Sequence, residues 1–94
     1  MNPAKVDRAR LVQLTDLPNV GPSLAKDLRL LGYQTPQALA EANPVELYQK
    51  LCQRTSQHQD PCVLDVFLSI TDFLAGNEPR PWWMYTNDRK NMLR

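Results

Sequence analysis

Leu17-Pro18-Asn19-Val20-Gly21-Pro22-Ser23-Leu24-Ala25 is the stretch that decides how this chain folds. Glycine permits a sharp backbone turn, and Pro22 directly after it suits the first position of a helix, where the missing N–H has no intrahelical partner to lose. Leu17 and Val20 are spaced to plug the turn into a core, and Leu24, Ala25, Leu28 and Leu31 follow at the i, i+1, i+4, i+7 spacing of one helix face. A tight turn leading straight into a helix leaves the N–H groups of Gly21, Ser23 and Leu24 without intrahelical acceptors. Such amides, with the partial positive charge of the helix end, favour an anion such as a phosphate oxygen. Lys26 and Arg29 lie one and two turns along, where they can add charge to the same anion.

Working outward, prolines punctuate the rest. Asn2-Pro3, Thr35-Pro36, Asn43-Pro44 and Asp60-Pro61 each set an N-capping residue before a proline at the first helical position. With Gly21-Pro22 this predicts five short helices: Pro3 to Leu14, Pro22 to Leu31, Pro36 to Glu41, Pro44 to Cys52 and Pro61 to Ala75. In the first, Val6, Ala9 or Arg10, and Leu14 share a face. Gly32 stands where the second should stop. The last is the most apolar, with only a thin polar stripe of Asp65, Ser69 and Asp72, and is expected to be the central core helix. Glu78 to Arg94, rich in Pro, Trp and charge, is expected to hold little regular structure. No useful run alternates as a strand would, so the fold class is all-α.

Ninety-four residues suit one domain. The expected division is a helical domain over 1–76 and a C-terminal tail over 77–94 whose Trp82 or Trp83 packs back onto it. No segment approaches the roughly 20 apolar residues of a membrane span, and no apolar run follows the charged N-terminus as in a secretory signal, so a cytoplasmic location is the expectation. Eleven basic against ten acidic residues give a net charge of +1. A general polyanion binder carries a clear basic excess, so any nucleic-acid site must be local.

Catalytic residues are not evident. His58 lacks a nucleophile at a triad-like spacing, and the acids are dispersed among bases. Cys52, His58, Cys62 and Asp60 are spaced unlike a structural zinc site, and two cysteines in a reducing compartment are expected to stay free. The expectation is a non-enzymatic chain without metal or cofactor. Trp82, Trp83 and Tyr85 followed by Arg89, Lys90 and Arg94 could stack on single-stranded bases, but two tryptophans beside a small core more often cover it.

The opening stretch resembles the Leu-Pro-Gly-Ile-Gly-x-x-x-Ala pattern of helix-hairpin-helix DNA-binding domains. Asn19 stands at the first glycine, a place asparagine tolerates because it enters the left-handed region readily. Ser23 stands where a lysine is often seen. The resemblance extends to the tandem, SAM-like arrangement of two such units found in the C-terminal domain of the bacterial RNA polymerase alpha subunit. Leu31 to Leu39 would then be the connector, and Gln53 to Asp60 a degenerate second hairpin without glycine. A narrower likeness runs through Asp27-Leu28, Leu31-Gly32, Asn43 to Tyr48, Leu51-Cys52, Asp60 to Phe67 and Trp82-Trp83. These are similar to the bacterial pathogenicity-locus family, whose members are often labelled mitomycin-resistance proteins. What the hairpin resemblance implies is weak, sequence-independent contact with the DNA backbone through Asn19, Val20, Gly21, Ser23, Leu24, Lys26 and Arg29. The alternative is a protein-interaction adaptor.

Overall fold

A computed structural model describes residues 5–92. Four α-helices are found among these residues: α1 (Pro22–Leu30), α2 (Pro44–Thr55), α3 (Cys62–Leu74) and α4 (Thr86–Met92). Short 3₁₀ turns cover Arg8–Arg10, Leu14–Asp16, Pro36–Leu39 and Trp82–Tyr85. No strand occurs among the described residues, and the protein is all-α.

The capping chemistry explains most of these boundaries. Asn43 Oδ1 accepts from the amides of Val45 and Glu46 at the start of α2, and Thr35 Oγ1 accepts from Ala38 N at the Pro36–Leu39 turn. Gly32 (φ 97°) and Gly76 (φ 112°) stop α1 and α3 in the left-handed region. At the end of α2 that place is taken by Ser56, with φ 53°.

Helix α3 lies at the centre. It buries Leu64, Phe67, Leu68, Ile70 and Phe73, with Asp65 and Ser69 buried on its remaining side. Around it pack Leu14, Leu17 and Val20, then Ala25 and Leu28 of α1, Leu39, the Leu47, Tyr48 and Leu51 face of α2, and Tyr85. A helix packed against so many neighbours needs a largely apolar composition, which its sequence supplies outside the Asp65, Ser69 and Asp72 stripe.

Three expectations are corrected. The α-helix expected from Pro3 to Leu14 is not found among the described residues; its first two residues lie outside them, and 3₁₀ turns at Arg8–Arg10 and Leu14–Asp16 stand in its place. Acidic side chains offer this backbone local alternatives to a helix: Asp7 accepts from Ala9 N, and Asp16 Oδ2 accepts from Val12 N (2.9 Å) and Gln13 N (2.7 Å). The Pro36 segment is a 3₁₀ turn too short to become an α-helix before Asn43 caps the next one. The C-terminal segment, expected to lack regular structure, folds as the Trp82–Tyr85 turn and α4.

That segment is held by the polar stripe of α3. Asp65, with no exposed surface, accepts from Thr86 Oγ1 (2.9 Å) and Arg89 Nε (3.0 Å). Asp72 accepts from the Tyr85 hydroxyl at 2.6 Å. Burial, and then this carboxylate, push the Tyr85 phenol well above its ordinary pKa, so it stays a donor. The stripe is therefore a docking face rather than a solvated one.

Candidate nucleic-acid interface

The Leu17–Ser23 turn is anchored by its two apolar plugs. Leu17 and Val20 have no exposed surface, and Val20 N donates to Leu17 O at 3.4 Å. Between them Asn19 adopts φ 65°, the left-handed conformation for which asparagine is suited. Its side chain also works as a tether. Asn19 Nδ2 donates to Ser69 Oγ of α3 (3.0 Å) and to the Arg80 carbonyl of the C-terminal segment (2.8 Å). A glycine here would supply the backbone angle but neither bond.

Gly21 has φ −92° and ψ 179°, an extended conformation open to any residue. A Cβ built there meets nothing within 4 Å. Its glycine is therefore not demanded by the turn; what it does is leave the surface in front of α1 clear. No side chain caps α1, and the first amide of that helix with a backbone acceptor is Ala25 N, which donates to Gly21 O at 3.0 Å. The amides of Gly21, Ser23 and Leu24 have no hydrogen-bond acceptor among the described residues.

These groups open on a cleft of about 460 Å³. One wall is Asn19, Gly21, Ser23, Leu24 and Asp27; the other is Gln59, Asp60, Cys62, Val63, Val66 and Trp82. Of the seven site residues read from the sequence, the structure thus brings Asn19, Gly21, Ser23 and Leu24 together. Val20 is spent as a plug. Lys26 and Arg29 are exposed on α1 and do not line the cleft. The N-terminal bases do not reinforce it. Arg8 lies at the other end of α3, about 15 Å along that helix from Val63. Its guanidinium sits 4.0 Å over the Phe73 ring and donates to the carbonyls of Phe73 (2.6 Å) and Asn77 (2.5 Å), the place where a helix end favours a cation. Arg10 pairs with Asp7. Sequence reasoning missed the two carboxylates and Trp82 as cleft residues, because no local pattern relates positions 27, 60 and 82.

The second turn, between α2 and α3, is built differently. Tyr48 donates its hydroxyl to Gln59 O (2.5 Å), and Gln59 N donates to Cys52 Sγ (3.5 Å), fixing the turn against α2. Asp60 Oδ1 accepts from Cys62 N at 2.9 Å. That amide, followed by the Cys62 side chain, holds the Asp60 carboxyl below the usual carboxylate range. Cys62 is pushed up in turn, chiefly by its hydrogen bond to Asp60 and then by burial, which disfavours the reactive thiolate. Both cysteines are free and half-buried. No group of His, Cys, Asp and Glu among the described residues is arranged to hold a metal ion.

Comparison with known proteins fixes the lineage of this architecture. The pathogenicity-locus family model matches residues 7–91, nearly all of the chain. The chain belongs to the pathogenicity-locus family. A relative of this family member, the mitomycin resistance protein McrB of Streptomyces lavendulae, is 41% identical over 80 residues, which cover 85% of this chain and 76% of McrB. A shorter likeness, 44% identical over 43 residues, covers 46% of the chain and 14% of the DNA repair and recombination protein RadA of Aeropyrum pernix. No solved structure matches. In this pathogenicity-locus protein, no helix among the described residues is long and apolar enough to cross a membrane.

Proposed function

We propose that this pathogenicity-locus protein is a non-enzymatic, cytoplasmic DNA-binding module of the tandem helix-hairpin-helix type, holding backbone phosphate at the Leu17–Ser23 turn. The observation that carries this is the set of unpartnered amides of Gly21, Ser23 and Leu24 at the start of α1, behind a glycine that nothing crowds. The short likeness to a DNA repair and recombination protein supports it. Lys26 and Arg29, exposed on the same helix, supply long-range attraction rather than direct pairing. Few phosphates are neutralised, so binding is weak and falls with salt along a shallow slope. Fluorescence anisotropy with a short labelled duplex at low salt tests it: the expected result is weak binding lost in the variant Gly21→Glu, which sets a carboxylate before the amides. Equal binding by that variant, or none by the native chain, contradicts the proposal.

A protein-adaptor role is the second reading, favoured by Asp27 and Asp60 in the cleft and by the near-neutral net charge. Capture of one protein partner that survives nuclease treatment, with no DNA affinity at low salt, supports it over the first.

A further inference from the structure

The cleft in front of Gly21 has a composition that a phosphate alone does not explain. Asp27, one turn past Ser23 on α1, is half-buried in it and has no hydrogen-bond or ion-pair partner among the described residues. With no protein donor, this carboxylate is free to accept one from a ligand, and it repels any phosphate that moves inward from the amides. Asp60 is already engaged with Cys62 N. Opposite stands Trp82, half-buried and braced edge-on by Trp83 at 5.7 Å between ring centroids. Val63 and Val66 supply apolar surface beside it. The cleft thus offers N–H donors at one place, a lone acceptor at another, and an aromatic ring between apolar side chains.

We infer that this cleft receives one base of an unpaired DNA strand, stacked on Trp82 with its exocyclic amino group donating to Asp27, while the adjoining phosphate rests on the turn amides. The inference rests on the phosphate-binding reading and narrows it to single-stranded substrate. A nucleotide carries both complementary groups, an acceptor for the amides and a donor for Asp27. A cationic side chain carries only the second, and the bare amides of α1 oppose it. A cleft of about 460 Å³ admits a base but no double helix, and a paired base enters only after unstacking, at a cost of a few kcal/mol. Cytosine, adenine and guanine have an exocyclic amine; thymine presents carbonyl oxygens there, which Asp27 repels.

The probe is Trp82 itself. Trp83 is 61% exposed, so Trp83→Phe is expected to leave the fold intact and Trp82 as the sole tryptophan. Titration of that protein at low salt with oligodeoxycytidine, oligothymidine of equal length and a duplex should quench Trp82 emission with the first, bound at least about fivefold tighter than either of the others. Asp27→Asn should bring the cytidine-to-thymidine ratio close to one, since an amide both donates and accepts. Trp82→Leu should weaken the oligodeoxycytidine by about tenfold, as loss of one base–aromatic stack does. Anisotropy that reports binding without quenching, or equal affinity for all three nucleic acids, overturns the inference while leaving phosphate binding at the turn intact. No binding of any of them overturns both. Quenching by an arginine-rich peptide and not by oligodeoxycytidine overturns it in favour of a protein ligand.

Discussion

The two turns of this molecule start their helices in opposite ways. Helix α1 begins on Gly21 with no capping side chain, and its first amides face the cleft unpaired; α3 begins beside Asp60, whose carboxylate already accepts from Cys62 N. Both helix ends line the same cleft. A helix N-terminus that supplies its own anion is sealed, whereas one that lacks a cap leaves its first amides to water or to a ligand. On the proposed function, the first turn leaves its amides for a ligand, while the second spends one of its own on Asp60. Under that proposal a chain with net charge +1 would hold an anion through oriented amides rather than through a field of bases.

Removing the anchor of the first turn should have the largest effect. Leu17→Ala leaves a cavity at a site with no exposed surface, and a loss of about 2–5 kcal/mol in urea unfolding is expected. A smaller loss, about 1–2 kcal/mol, is expected for Asn19→Gly, which keeps the left-handed angle but gives up the bonds to Ser69 and Arg80. If Asn19 matters only for its φ angle, that variant unfolds at the same urea concentration as the native chain.

Asp60→Ala probes the sealed turn from the other side. It exposes the Cys62 amide and removes a negative charge from the cleft, so DNA affinity in anisotropy should rise while stability falls modestly. Unchanged affinity would show that Asp60 does not separate the two turns. The same carboxylate sets a pH dependence. Its pKa is depressed in the fold, so its contribution is present above the ordinary value of 3.8 and is lost as the pH falls through the lower, folded value. Asp16, depressed by the amides of Gln13 and Val12, behaves likewise. The stability gap between the native chain and Asp16→Asn should therefore be constant at neutral pH and close in acid, as followed by circular dichroism.

Much of this was legible in the residues because it is local. Thr35 and Asn43 announce a turn and a helix start through capping chemistry that acts within three residues, and Gly21-Pro22 announces α1 through the fixed φ of proline at its first position. The apolar run from Cys62 to Leu74 announces a core helix. The N-terminal segment misled because Val6, Arg10 and Leu14 have helical spacing, while Asp7 and Asp16 bind the amides that a helix would use. Helix α4 was invisible because nothing within it is apolar at helical spacing; Thr86 and Arg89 hold it to Asp65, more than 20 positions away. The candidate cleft was half legible for the same reason. Asn19, Gly21, Ser23 and Leu24 could be read from one stretch, but Asp27, Asp60 and Trp82 meet only through the packing of α1, α3 and the Trp82–Tyr85 turn.

Whether the bare amides of α1 hold a ligand is tested most directly by Gly21→Asp. The extended backbone at Gly21 and the open space before it suit an N-capping aspartate, which would give α1 the kind of cap that Asn43 gives α2. The expected outcome is a chain more stable by a few tenths of a kcal/mol that has lost its affinity for DNA at low salt. Native DNA affinity in a Gly21→Asp chain whose thermal midpoint has risen would contradict ligand binding by those amides.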